Sequence, residues 1–258
     1  MSQTYTPGGQ EMTGFDQWDV RHLNQSFSLD GVEVPFTPGQ SILEAARQAG
    51  IYIPHLCWHP DFPAHGSCKL CVVKVNGRHV SSCATPASIG LDVKSNSPEI
   101  REERKVLLQM LFVEGNHFCP SCEKSGDCEL QAQAYDHEIM TPHYTLFYPD
   151  RPVDASHHEI LLDFNRCIFC ELCVRASRDV DGKSIFALSE RGIHKHLVVN
   201  AESGRLADTN IDPADKAANI CPVGVILHKR TGFTVPYGER TYDQTPISEQ
   251  GLPNKEQV

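Results

Sequence analysis

The 258-residue chain lacks most features that would assign it to nucleic acid, membrane or nucleotide. Lysine and arginine total 23 against 33 acidic residues, and the basic side chains are scattered, so a polyanionic partner is not expected. No apolar run is long enough to span a bilayer. Met1 to Gln25 is polar, contains Pro7-Gly8-Gly9 and carries no paired arginines, so no secretory leader is read there and a cytoplasmic setting is expected. No G-x-G-x-x-G follows a strand and no phosphate loop occurs, which argues against a substrate pocket of the chain's own. Apolar residues make up only 40% and aromatics 8%, so the cores are thin. Bound metal clusters would tie such segments together.

Cysteine is what the chain has in quantity. Eleven is an odd number, which excludes a complete disulfide framework, and in a reducing compartment thiols at regular spacings read as metal ligands. They fall into three groups. Cys57, Cys68, Cys71 and Cys83 are spaced C-x10-C-x2-C-x11-C, a pattern for one 2Fe-2S cluster with two thiolates per iron. Gly66, beside the second loop, is expected to let backbone N–H groups approach the sulfurs. Cys119, Cys122 and Cys128, spaced C-x2-C-x5-C, are one thiol short of a 4Fe-4S site, and His117 stands two residues upstream as the candidate fourth ligand. Asp127 or a solvent molecule are the other possible closers, with His117 then an ordinary surface histidine. Cys167, Cys170 and Cys173, spaced C-x2-C-x2-C, together with the remote Cys221-Pro222, give a second 4Fe-4S site of bacterial-ferredoxin type. No Cys-x-x-Cys pair is left over to hold nickel. Zinc in place of the clusters, in an interaction protein, is the competing reading; zinc sites usually pair two C-x2-4-C knuckles, and the first group has only one.

The pattern between the groups sets an α+β fold. Phe27 and Leu29 alternate with polar residues, Asp30-Gly31 turns, and Val32 and Val34 return. Ser41 caps a helix with a stripe of Ile42, Leu43, Ala46 and Ala49 ending at Gly50. A second hairpin runs from Cys71 to Cys83 through Asn76-Gly77, and Leu91–Val93 adds a last strand. This is the order of a β-grasp sheet. Ser97-Pro98-Glu99 opens a long helix toward the second group, Glu129–Tyr135 is another, Ile160–Asp163 is a strand before the third group, a helix carries Cys173–Ser177, and Ser184–Leu188 and Leu197–Val199 are strands. The expected division is an extension over 1–25, a β-grasp 2Fe-2S domain over 26–100, a small helical 4Fe-4S segment with one histidine and three cysteines over 101–145, a ferredoxin-like 4Fe-4S domain over 146–235, and a polar tail over 236–258. Phe15-Asp16-Gln17-Trp18 is a candidate docking element.

The succession IYIPHLCWHP, GSCKLCVVKVNG, EGNHFCPSCEKSGDCELQA, RCIFCELCVRASRD and NICPVG, over about residues 26–235, resembles the small diaphorase subunit of cytoplasmic NAD-reducing nickel–iron hydrogenases. It is also similar to the N-terminal iron–sulfur region of the large electron-transfer subunit of complex I. The segment EGNHFCPSCEKSG at the second cysteine group and the absence of a molybdopterin-type domain after the third group favour the hydrogenase family. The resemblance implies a relay of electrons between a flavin-bearing, NAD(H)-binding subunit and a hydrogenase module of small and large subunits. The corresponding subunit of an NAD-dependent formate dehydrogenase, or of another complex I-like enzyme, is the alternative. One departure stands out. Complex I relatives place the histidine ligand four residues before the first cysteine of the second group, and here that position is Gly115.

Overall fold

The computed structural model describes residues 25–250; the expected N-terminal docking element and residues 251–258 lie outside them. β1 (Ser26–Leu29) and β2 (Val32–Pro35) form the first hairpin, turning on Asp30 (φ 51°) and Gly31 (φ 86°). α1 (Ile42–Gln48) begins at Ser41 in a reciprocal capping box: the Glu44 N–H donates to Ser41 Oγ at 3.3 Å and Ser41 N–H donates to Glu44 Oε2 at 2.8 Å. β3 (Val72–Val75) and β4 (Arg78–Ser81) form the second hairpin, and β5 (Asp92–Lys94) inserts between β1 and β3. The order β2-β1-β5-β3-β4, with β1 and β5 parallel, is a β-grasp sheet around α1. Its core joins Phe27, Leu29, Val34, Ile42, Leu43, Val73 and Val93.

α2 (Pro98–Glu114), capped by Ser97, leads away from this sheet. Arg104 fastens the two together. It is 3% exposed and donates to the carbonyls of Leu70 (3.1 Å), Val72 (2.7 Å) and Ser95 (2.9 Å) and to Ser95 Oγ (3.0 Å). Burial lowers its pKa to about 10, so it remains charged. Arg104→Met would leave these acceptors buried and unpaired, and is expected to cost roughly 3 kcal/mol in a denaturant melt.

α3 (Glu129–Asp136) follows the second cysteine group. β6 (Val153–Asp154) and β7 (Ile160–Asp163) lead to the third group, which runs into α4 (Leu172–Asp179). β8 (Phe186–Ser189) pairs with β9 (His196–Val199), α5 (Lys216–Asn219) precedes Cys221, and β10 (Ile226–His228) returns beside β7. β8 starts two residues later than its sequence suggests. Ser184 (φ 50°) belongs to a turn in which the Ser177 carbonyl accepts the Lys183 and Ser184 N–H groups.

Residues 236–250 are not the polar tail that composition suggests. Tyr242 N–H donates to Gly126 O at 2.9 Å, Thr241 N–H to Asp127 Oδ1 at 2.9 Å, and Arg240 Nη1 to Ser125 O at 3.1 Å. α6 (Ile247–Gln250) buries Ile247, and Ser248 Oγ donates to Asp136 at 2.9 Å. The segment is a strap across the loop between Cys122 and Cys128. Its hydrogen-bond attachments are polar and reach partners more than a hundred residues away, so no apolar periodicity announces it. Among the described residues no helix is long and apolar enough to cross a membrane.

Candidate iron–sulfur centres

All eleven cysteines are free thiols, and they gather in three places. In the first group Cys71 and Cys83 lie with sulfurs 3.3 Å apart, and Cys57 and Cys68 form the second close pair, with Cys68 N–H donating to Cys57 Sγ at 3.5 Å. The thiol of Cys68 draws Cys57 down to about 5, and that of Cys83 draws Cys71 down to about 7; their partners rise correspondingly. Two close pairs of buried thiols, one member of each drawn down by the other, suit a two-iron core with two thiolates at each end. Gly66 (φ 69°) has its place through backbone conformation, since an added Cβ would come no closer than 3.9 Å to the Lys69 side chain. The N–H that reaches Cys57 Sγ is that of Cys68, with Lys69 (φ 58°) turning the loop behind it.

In the third group Cys167, Cys170, Cys173 and Cys221 line one cavity with Ile168, Phe169, Leu188, Leu197 and Val225. Phe169 (φ 54°) and Glu171 (φ 63°) are left-handed without being glycine, and Phe169 N–H donates to Cys167 Sγ at 3.4 Å. Burial pushes Cys167 up to about 12 and Cys170 and Cys173 well above their ordinary value, so four thiolates are favoured here only around a cationic core. Arg151 and Lys195 stand over the Phe169 ring at 4.9 and 5.9 Å.

The second group is where the sequence leaves a choice. Cys119, Cys122 and Cys128 line a cavity together with His117, Phe112, Arg166 and Gly224; Asp127 is not among its lining residues and instead holds Thr241 of the strap. His117 Nε2 is buried and has no hydrogen-bond partner. Phe112 meets the ring edge-on at 5.5 Å. Burial, assisted by Arg166 and Arg151, lowers the histidine pKa to about 4. A neutral imidazole with a buried, orphaned Nε2 is in the state a metal ligand needs. Gly115 makes room for it: a Cβ there would lie 2.6 Å from His117 Nε2 and 2.9 Å from both His117 Cδ2 and Asn165 O.

The three groups are hydrogen-bonded into one body. Arg175 of α4, two residues after Cys173, donates to Cys57 O at 2.6 Å and Pro63 O at 3.0 Å. Glu129 N–H, next to Cys128, donates to Pro222 O, next to Cys221, at 2.9 Å. The bonds that reach the cysteine-bearing peptides of groups one and two thus involve group three. Groups one and two meet further out, where Gln133 Nε2 donates to Tyr52 Oη at 2.6 Å and His55 O at 3.4 Å. The buried arginines are not singled out by sequence, where nothing distinguishes them from surface cations.

Known proteins carry the same parts. A 2Fe-2S iron-sulfur cluster binding domain matches residues 24–98, the NADH-ubiquinone oxidoreductase-G iron-sulfur binding region matches 104–143, and a 4Fe-4S single cluster domain matches 160–227. The gamma subunit of the NAD-reducing hydrogenase HoxS of Cupriavidus necator is 39% identical over 231 residues, covering 89% of this chain and 98% of that protein. The chain belongs to the gamma-subunit family of NAD-reducing hydrogenase. In the crystal structure of an NAD+-reducing NiFe hydrogenase in the H2-reduced state, one chain matches with a TM-score of 0.86 and 52% identity, over 91% of this chain and 99% of that one. The mitochondrial NADH-ubiquinone oxidoreductase 78 kDa subunit of Candida albicans is 30% identical over 210 residues, but this chain spans only 29% of its length. As a member of the gamma-subunit family the protein is an iron–sulfur, electron-transferring component of an oxidoreductase assembled from several subunits, with one 2Fe-2S and two 4Fe-4S clusters.

Proposed function

We propose that this protein relays electrons between a flavin-bearing, NAD(H)-binding subunit and the small and large subunits of a nickel–iron hydrogenase, in the cytoplasm, so that oxidation of H2 is coupled to reduction of NAD+. The 2Fe-2S cluster is held by Cys57, Cys68, Cys71 and Cys83. One 4Fe-4S cluster is held by His117, Cys119, Cys122 and Cys128, the other by Cys167, Cys170, Cys173 and Cys221. In this reading residues 26–100, 101–145 and 146–235 each build one site, and residues 236–250 cover the middle one.

The observation that carries the reading is His117 Nε2, buried without a partner in the cavity lined by three thiols. It gives the second group the fourth donor that its cysteines lack. The clusters supply one-electron chemistry; the chain positions them, excludes water and donates N–H groups to their sulfurs. The third group, bonded to the other two, takes the middle place in the relay, so spatial order differs from chain order.

Metal analysis of anaerobically purified protein tests this. The expected result is about 10 irons per chain, as many acid-labile sulfides, and no zinc. About six irons would remove one four-iron site from the reading, and zinc in place of iron would overturn it.

A further inference from the structure

Two segments that carry third-group cysteines also reach into the cavity of the second group, where Arg166 and Gly224 line it beside Cys122. Cys122 Sγ accepts a hydrogen bond from Arg166 Nη1 at 3.4 Å, and Arg166 immediately precedes Cys167. From the other end of the third group, Gly224 presses on the same atom: a Cβ there would lie 2.8 Å from Cys122 Sγ and 3.2 Å from Arg166 Cδ and Nη1. The guanidinium is held at Nε and Nη1. Nε donates to Asp163 at 2.7 Å, and Nη1 to Glu123 Oε2 at 2.8 Å and Gly224 O at 3.4 Å, with the side chain only 15% exposed. Asp163 is held in turn by the Asn165 N–H at 3.1 Å.

We propose that Arg166 is a positioning residue that sets the reduction potential of the cluster of the second group through its hydrogen bond to Cys122 Sγ. The proposal rests on the cluster assignment above. Each electron taken up adds negative charge that spreads onto the ligand sulfurs, and a charge-assisted donor stabilises that state more than the oxidised one. The full charge of Arg166 is offset by two carboxylates, Glu123 and Asp163, so the effect is carried by the directed N–H···S contact. Because Arg166 is contiguous with Cys167, the residue that tunes one site is built into the ligand loop of the other.

The test is a redox titration of the full chain followed by electron paramagnetic resonance, for the native protein, Arg166→Gln and Arg166→Lys, with iron and sulfide counted in each. Gln is too short to reach the sulfur; Lys keeps the charge beside Glu123 and Asp163 but loses the planar set of donors. In both, the ratio of reduced to oxidised second-group cluster at a fixed solution potential is expected to fall about tenfold, which is about 59 mV for one electron, with the other two clusters unmoved. Unmoved potentials at full iron content, a shift confined to the third-group cluster, or a shift in Gln but not Lys would overturn the proposal. So would loss of about four irons from both variants, which would make Arg166 purely structural. Fewer than about 10 irons in the native protein would instead indict the cluster assignment.

Discussion

Cys221→Ser is expected to lower iron from about 10 to about six per chain, to leave the two-iron spectrum intact, and to bring H2-dependent NAD+ reduction by the reconstituted complex to background. Cys221 arrives from beyond β8 and β9 to share a cavity with Cys167, Cys170 and Cys173. The third group donates through Arg175 to the peptide of Cys57 and accepts at Pro222 from the peptide after Cys128. Removing its cluster therefore removes the middle of the relay while leaving both ends folded. Loss of the two-iron signal in a folded variant would show that the thiols are wrongly grouped. Undiminished H2-dependent activity would show that electrons bypass the third group.

Gly115→Ala should do to the middle site what His117→Ala does. Gly115 has φ −110° and ψ 174°, a conformation any residue adopts, so the position is glycine for space alone. The added methyl would occupy the place of the imidazole, with Asn165 O closing the other side. Both variants are expected to alter the spectrum of the second-group cluster, with iron falling toward about six, while the other two spectra stay unchanged. A native spectrum in Gly115→Ala would mean the ring is not held against that glycine, and one in His117→Ala would rule out this histidine as a ligand. The resemblance to complex I, read from the sequence, implies a histidine where Gly115 is. The two placements exclude each other sterically, because a side chain at 115 and a ring at 117 would claim the same volume.

What sequence conveys here is chemistry with local grammar. Asp30-Gly31 and Asn76-Gly77 name their hairpins, Ser41 and Ser97 name their helices, and the thiol spacings name their groups. The β-grasp order follows from these signals, and the structure adds the parallel pairing of β1 with β5, which joins residues over sixty positions apart. Other features depend on partners remote in the chain and leave no periodic mark. β10 is three residues long and exists because β7 is beside it. The strap over residues 125–127 reads as a tail because its hydrogen bonds are made by backbone and polar side-chain groups that solvent would satisfy equally well. Arg104, Arg166 and Arg175 look like any surface cation until the carbonyls and sulfur they serve are brought alongside. His117 is reachable from sequence through proximity to Cys119, but its orphaned nitrogen and its dependence on Gly115 are properties of packing.

The strap has a consequence for how the protein matures. Thr241 lies 114 residues beyond the Asp127 carboxylate it binds, so during synthesis every ligand of the second site has emerged before its cover exists. Iron and sulfide can be delivered to an open loop, and the lid then closes from a stretch of chain made later. Insertion and protection are thereby separated in time, and a nascent chain interrupted after Cys221 would carry a complete set of ligands with its middle site still open.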